Sequence, residues 1–187
     1  ARLSGESFEN IAFAGGRGDQ ATLVDSSGND LFDAKPEWAR MSGSGFSNLV
    51  TGATSVVGIS QEGGNDVSRL FDSAGNDRLN ANPSAVSLEG AGYRLEARGF
   101  AQSLILARGG GYDTAWLADS SGADQLDASS RFVWLRGTGY SVRLEGFDSI
   151  VVSATAGSGD VARLWGGAGN DVLSVWNYQR NFYSAGV

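Results

Sequence analysis

The sequence predicts an all-β solenoid built from a tandem repeat of 47 residues, and three observations support this. The turn signal D-S-x-G-x-D begins at Asp25, Asp72 and Asp119 and returns as a Gly-Gly variant at Gly166, each 47 residues after the last. The aspartate of the preceding Gly-rich turn keeps the same register, at Asp19, Asp66, Asp113 and Asp160. Between these markers, constant apolar positions alternate with variable ones, which is the period of a half-buried strand.

The first strand of each repeat carries a leucine that we expect to face the core. The leucines are Leu23, Leu70, Leu117 and Leu164. Because identical columns stack in a simple solenoid, these leucines should form one inward ladder along one axis. The position before each leucine differs in chemistry, as expected of an outward side chain: Thr22, Arg69, Trp116 and Arg163.

The rest of the repeat also reads as strands and turns. A second strand begins at Phe32, Leu79, Leu126 and Leu173. A longer third element then carries glycines at 43, 90 and 137, followed by the aromatic residues Phe46, Tyr93 and Tyr140. A last element contains Val57, Leu104 and Val151. Each column is thus either an apolar core position or a glycine suited to a turn or a close approach.

Two architectures can use such a unit. The first is a parallel β-helix or β-roll-like solenoid in which each repeat forms two rungs of about 23 residues and identical Asn and Asp side chains stack along the axis. The alternative is a four-bladed β-propeller with one repeat per blade. We treat residues 1–187 as one array, with a partial repeat 1–24, repeats 25–71, 72–118 and 119–165, and a partial repeat or cap 166–187.

Composition excludes several classes of function. The chain has no Cys and no His, which removes disulfides, thiol nucleophiles and the commonest general base. Its formal charge of −7 suggests that no face is rich enough in Lys and Arg to bind nucleic acid or an anionic membrane. A cation, a cationic surface or a neutral glycan suits it better. No stretch of about 18 apolar residues is present, so membrane insertion is not expected.

The turn at residues 166–174 carries a metal-binding signature. It reads G-G-A-G-N-D-V-L-S and so resembles the G-G-x-G-x-D-x-U-x nonapeptide of the RTX family of secreted bacterial proteins. The resemblance implies calcium held by turn carbonyls and an aspartate. The candidate metal residues are Asp171, Gly166 and Ala168, with Asp25, Asp30, Asp72, Asp77, Asp119 and Asp124 in the other three turns.

A structural role for the same aspartates remains open. In that interpretation Asp25 and its equivalents form Asx turns, Gly28 and its equivalents adopt positive φ, and Asp30 and its equivalents bond the turn amides. Paired carboxylates such as Asp113 and Asp119 could serve a glycosidase. The same acids recur in every copy, however, which is typical of a scaffold, whereas an active site is normally unique.

We therefore expect a non-enzymatic, extracellular structural or adhesive segment of a rod, stalk or filament. The alternatives are a non-catalytic glycan-binding or spacer module of a carbohydrate-active enzyme, and a β-helix polysaccharide lyase or epimerase. Expected partners are neighbouring repeats or identical subunits joined end to end, and a glycan or cell surface. Calcium is the one cofactor that the sequence suggests.

Overall fold

The computed structural model describes residues 9–154 and 157–167, and in these ranges the only regular structure is β. Short strands follow one another through tight turns, as the alternating pattern predicts. They are β1 (Asn10–Ala14), β2 (Gln20–Val24), β3 (Leu31–Lys35), β4 (Trp38–Gly43), β5 (Phe46–Thr51), β6 (Ser55–Ile59), β7 (Val67–Phe71), β8 (Arg78–Asn82), β9 (Ala85–Gly90), β10 (Tyr93–Arg98), β11 (Gln102–Leu106), β12 (Thr114–Ala118), β13 (Gln125–Ala128), β14 (Val133–Gly137), β15 (Tyr140–Glu145), β16 (Ser149–Ser153) and β17 (Val161–Leu164).

The strands form two sheets. The large sheet has the order β1-β5-β4-β3-β7-β11-β15-β14-β13-β17, and the small sheet has the order β16-β12-β8-β9-β10-β6-β2. The chain alternates between them, and strands from successive circuits pair in parallel, as β7 does with β3 and β11. The fold is therefore the predicted all-β solenoid of about four turns. Two stacked sheets of this kind are not the blades of a propeller.

Each repeat consists of a single strand, an antiparallel meander of three strands and another single strand. In the first full copy, β2 and β6 lie in the small sheet, and the β3–β5 meander lies in the large sheet. A repeat thus passes between the sheets three times. It makes one and a half circuits rather than two equal rungs, and consecutive repeats exchange sheets.

This exchange corrects the expected leucine ladder. Leu23 and Leu117 belong to the small sheet, whereas Leu70 and Leu164 belong to the large one. Leu23, Leu70 and Leu117 are buried, while Leu164, on the outermost strand of the large sheet, is 51% exposed. The four leucines do not form one ladder.

Residues from different positions of the repeat lie next to one another along the solenoid axis. The residues beside Leu70 are Ala34 and Ile105. The predicted stacking of identical Asn side chains is also wrong for Asn29, whose Oδ1 accepts the Asn65 backbone N–H at 2.9 Å. The physical reason is that parallel partners in adjacent circuits are 35–39 residues apart in sequence, as Gln20 is from Ser55 and Ser55 is from Arg94, so neighbours along the axis never share the 47-residue period.

In the core, a large side chain on one sheet is matched by a small residue at the position that faces it on the other sheet. Phe32 is fully buried in the large sheet, and a Cβ placed on Gly58 of the small sheet would lie 2.6 Å from its ring. In the next repeat the equivalent positions hold Leu79 and Ile105, both fully buried. A large residue facing glycine in one copy is therefore replaced by two aliphatic residues of intermediate size in the next.

We expect this exchange to be transferable between copies. Gly58→Ile alone should lower the free energy of unfolding by about 3 kcal/mol, because the added side chain overlaps the Phe32 ring. Phe32→Leu alone should lower it by about 1 kcal/mol. The double variant reproduces the second repeat and should recover most of the loss, as measured by urea unfolding. Simple additivity of the two changes would contradict this packing.

Candidate functional site

The aspartates of both turn markers meet at the edges of the solenoid, where loops join the two sheets. The loop after β2 lies beside the loop between β6 and β7, so Asp25 and Asp30 approach Asp66. One carboxylate oxygen from each lies within 4.8 Å of the other two. Two further clusters share this arrangement, namely Asp72, Asp77 and Asp113, and Asp119, Asp124 and Asp160.

The central aspartate of each cluster is buried and closes its own turn. Asp30 is 3% exposed, and its Oδ2 accepts the Ser26 backbone N–H at 2.6 Å and the Ser26 hydroxyl at 2.9 Å. Asp77 and Asp124 receive the same pair of bonds from Ser73 and Ser120. This part of the structural interpretation is confirmed.

The recurrent glycine that ends the middle strand of each meander, as Gly43 ends β4, is required by the same carboxylate. A Cβ on Gly43 would lie 1.6 Å from Asp30 Oδ1, and one on Gly90 or Gly137 would lie 1.8 Å from the equivalent Asp oxygen. A side chain at this position is therefore excluded by the buried aspartate. The glycine column exists because of the aspartate column.

The aspartate of the Gly-rich turn accepts a hydrogen bond from the buried aspartate of the turn signal. Asp66 Oδ1 accepts the Asp30 backbone N–H at 2.7 Å, and its Oδ2 accepts the Ser60 hydroxyl at 2.6 Å. Asp113 and Asp160 accept the equivalent N–H groups of Asp77 and Asp124, at 2.9 and 3.0 Å. The two markers keep one register along the sequence because they are hydrogen-bonding partners across adjacent circuits.

The first aspartate of the turn signal also reaches the next circuit. Asp25 accepts the backbone N–H groups of Gln61 and Glu62, and Asp72 accepts those of Arg108 and Gly109. The expected Asx turn at Asp25 is therefore replaced by a bond between circuits. Gly28 is not among the glycines with positive φ, so that expectation is wrong as well.

Six of the nine predicted metal residues thus lie in acidic clusters. Asp25 and Asp30, Asp72 and Asp77, and Asp119 and Asp124 each occupy one of the three. Sequence reasoning did not assign their partners Asp66, Asp113 and Asp160 to the metal site, although the second repeat marker was the signal that identified them. Gly166 lies exposed just after β17, and Ala168 and Asp171 lie outside the described residues.

Electrostatics in the second cluster disfavour full ionisation. Burial raises the pKa of the Asp113 carboxyl above its usual value, the bond from the Asp77 backbone N–H lowers it, and the charges of Asp72, Asp77 and Asp148 raise it further. The net shift is upward. Several carboxylate oxygens close together are also the donor set that a hard divalent cation such as calcium prefers.

Two of the three buried aspartates each lie beside a tyrosine: Asp124 beside Tyr140 and Asp77 beside Tyr93. The Tyr140 hydroxyl donates to Asp124 Oδ1 at 2.8 Å. Burial, followed by that carboxylate, raises the pKa of Tyr140 well above its usual range. Burial and the nearby Asp77 have the same effect on the pKa of Tyr93. The first copy has Phe46 at this position and lacks the hydroxyl.

A second candidate site is the outer face of the large sheet. One lateral row of paired residues crosses eight strands and contains most of the charge on this face. We call it the arginine row. Its charged members are Arg40, Asp33, Arg69, Arg143, Asp127 and Arg163.

The charges on this face are organised as three Arg–carboxylate–Arg triads. In the first, Asp33 pairs with Arg69 and lies 3.7 Å from Arg40. The second places Glu145 at 2.9 Å from Arg108 and 3.0 Å from Arg143, and the third pairs Asp127 with Arg136 and, at 3.6 Å, with Arg163. Two guanidinium groups per carboxylate leave each triad with one net positive charge.

The expectation that no face binds nucleic acid or an anionic membrane stays a prediction, but arginine is concentrated on this face of an acidic chain. The outward column of the first strand is positive only where the repeat enters the large sheet, at Arg69 and Arg163, whereas Trp116 occupies it in the small sheet. On the small sheet, Arg94 and Arg98 are balanced by Glu89 and Glu96. The outward residue of the first strand, which differs in chemistry from copy to copy, is therefore arginine on the large sheet and uncharged on the small sheet.

The carboxylate pair considered for glycosidase chemistry is separated by the fold. Asp113 precedes β12 and Asp119 follows it, so the two belong to different clusters. Six residues of extended chain place them about 20 Å apart along the strand direction. This exceeds the separation of roughly 5–10 Å that glycosidase carboxylates require.

Comparison with known proteins identifies no relative. No family model matches the chain, and neither the curated proteins nor the solved structures contain a match. Nor do the described residues include an apolar helix of the length that a lipid bilayer requires. The class that the structure itself defines is a tandem-repeat β-solenoid with paired aspartate turns.

The buried tyrosines predict a loss of stability at alkaline pH. Because the pKa of both is raised in the folded state, their protonated forms stabilise the fold at neutral pH, and this contribution is lost as pH rises above the unfolded value of about 10. Urea unfolding between pH 8 and 11 should show a shallower decline for the Tyr93→Phe/Tyr140→Phe variant. At neutral pH, Tyr140→Phe should lose about 2 kcal/mol. Tyr112→Phe, at a mostly exposed residue, is the control and should match the wild type.

Proposed function

We propose that this chain is a non-catalytic structural and adhesive segment of an extracellular rod or filament. The observation that carries the proposal is the recurrence of one buried turn unit, with the same bonds, at each of three positions along the solenoid. A residue that recurs in this way supports the backbone of every circuit. The absence of cysteine and the acidic composition are compatible with a secreted protein.

The sheet edges favour growth along the axis. At one end β1 and β2, and at the other β17 and β16, each have a hydrogen-bonded neighbour on one side only among the described strands. Unpaired backbone groups on an edge strand are a template for further strands. A second copy of this chain, or further repeats of the same chain, would continue both sheets with the same parallel pairing.

End-to-end association should depend on concentration. Light scattering and electron microscopy of the 187-residue chain should show rods that lengthen with concentration at a constant width. The test variant is Ala12→Pro in β1, because the Ala12 N–H points away from β5 and proline at a sheet edge blocks the addition of a further strand; it should shorten the rods. A particle that remains monomeric at millimolar concentration would contradict the proposal.

We also propose that the three acidic clusters bind calcium in the extracellular medium. Two features support this: the oxygen ligands lie close together, and the neighbouring carboxylates contribute to raising the pKa of Asp113. A cation would offset the repulsion among the three carboxylates. The resemblance of the turn at residues 166–174 to the RTX nonapeptide points to the same ion.

Calcium should therefore raise the melting temperature, and a chelator should lower it. At a concentration one hundred times the dissociation constant, each site would add about 2.7 kcal/mol. Asp113→Asn keeps an oxygen acceptor for the Asp77 N–H but removes a charge. It should therefore be at least as stable as the wild type in chelator at pH 7, where the raised pKa makes ionised Asp113 unfavourable.

The response should be specific to the clusters. Calcium should stabilise Asp113→Asn less than the wild type, and the Asp66→Asn/Asp113→Asn/Asp160→Asn variant should lose the response. Glu89→Gln, at a residue outside the clusters, should keep the full response. Identical melting of the wild type in calcium and in chelator would leave the aspartates with a structural role alone.

A further inference from the structure

The geometry points to the arginine row as a binding track for a linear, carboxylated polysaccharide. The inference names the partner of the adhesive role proposed above and rests on it. It does not require end-to-end assembly, because a single copy of the chain contains all three triads.

The triads preorganise their arginines. The carboxylate of Asp33 is 5% exposed and that of Asp127 is 8% exposed, so each is held within the surface of the sheet by the arginines above it. The guanidinium groups themselves remain accessible, with side-chain exposures of 40% for Arg69 and 52% for Arg163. An arginine held in this way retains donors for a second, external carboxylate, and its fork matches the geometry of that group.

Aromatic rings position two of the same guanidinium groups. Arg136 lies 3.9 Å above the Trp134 ring, and Arg143 lies 4.5 Å above the Phe132 ring. Trp134 is itself fixed, since its indole N–H donates to the Ser141 hydroxyl at 2.7 Å. Stacking on a fixed ring lowers the conformational freedom that an arginine loses on binding.

The shape and charge of the track select the class of polymer. Ten strands at a spacing of roughly 4.8 Å make a face about 40 Å long, whose triads are centred on β3, β15 and β13, two or three strands apart. The face thus offers one net positive charge for roughly every 10–15 Å. Acidic edges, formed by the aspartate clusters, border it on both sides.

These features favour a glycan over nucleic acid. Duplex DNA carries one negative charge for about every 1.7 Å of its length, far denser than the positive charge of the track, and its bulk would approach the acidic edges. A single polysaccharide chain is narrow, and its carboxylates are spread over successive sugars. It can therefore lie along the arginine row without meeting the aspartate clusters.

The test is affinity electrophoresis of the purified chain in native gels containing polygalacturonate, with dextran as the neutral polymer and a DNA duplex as the dense polyanion. Polygalacturonate should retard the chain, whereas dextran should not, and DNA should compete weakly. Arg69→Gln/Arg143→Gln should weaken binding at least about tenfold. The matched control, Arg94→Gln/Arg98→Gln on the small sheet, removes the same charge and should bind like the wild type.

A second variant keeps the test valid if the glutamine variant folds poorly. Arg69→Lys/Arg143→Lys preserves charge but removes the guanidinium fork, and it should bind with an affinity between those of the wild type and the glutamine variant. Binding that is absent, equal for dextran, stronger for DNA, or equally weakened by the small-sheet variant would overturn the inference. Rod formation measured on the same samples would then show whether the structural part of the proposed function survives by itself.

Discussion

The fold depends on the buried aspartate at the centre of each turn and on the backbone N–H that it presents to the next circuit. The side chain of Asp30 closes its own turn through Ser26, and its amide donates to Asp66. One residue therefore fixes both the local conformation and the stacking of circuits. Breaking such a bond would leave a buried carboxylate or amide unpaired, which costs more than the bond itself contributes. The glycine that faces the aspartate and the tyrosine that covers it in two copies follow from this constraint.

A repeat of one and a half circuits gives a regular sequence two different faces. Every other copy places its meander in the large sheet, so the same column alternates between opposite surfaces. Arginine can then accumulate on one face while the other remains balanced, although all copies share one core pattern. Asp33 and Asp127 occupy equivalent positions on the large sheet, while the intervening copy has Asn80 on the small sheet. The outward columns of Asp33 and Arg69 thus recur after two repeats, as Asp127 and Arg163, whereas the core pattern recurs after one.

The acidic edges and the arginine row separate the charges of the chain in space. The clustered aspartates lie in the loops at the edges, and the triads lie on the outer face of the large sheet between them. A net charge of −7 describes neither surface. The two surfaces suit different partners, a divalent cation at the edges and an anionic polymer on the face, and occupation of one does not sterically exclude the other.

The sequence by itself determined the repeat length, the all-β class, the buried columns and the recurrent aspartates of the turns. Turn chemistry and two-residue alternation are local properties of the chain, which is why these features can be read from it. It placed Asp25 and Asp30 in one turn, but it did not join them to Asp66, which lies 36 residues after Asp30 and beside it in the adjacent circuit. The expected ladder of Leu23, Leu70, Leu117 and Leu164 was wrong for the same reason. Which strands pair, how many circuits a repeat makes and which face an arginine occupies depend on contacts between residues far apart in sequence. Only the tertiary structure decided these, because hydrogen bonding between circuits follows the length of the circuit and not the period of the repeat.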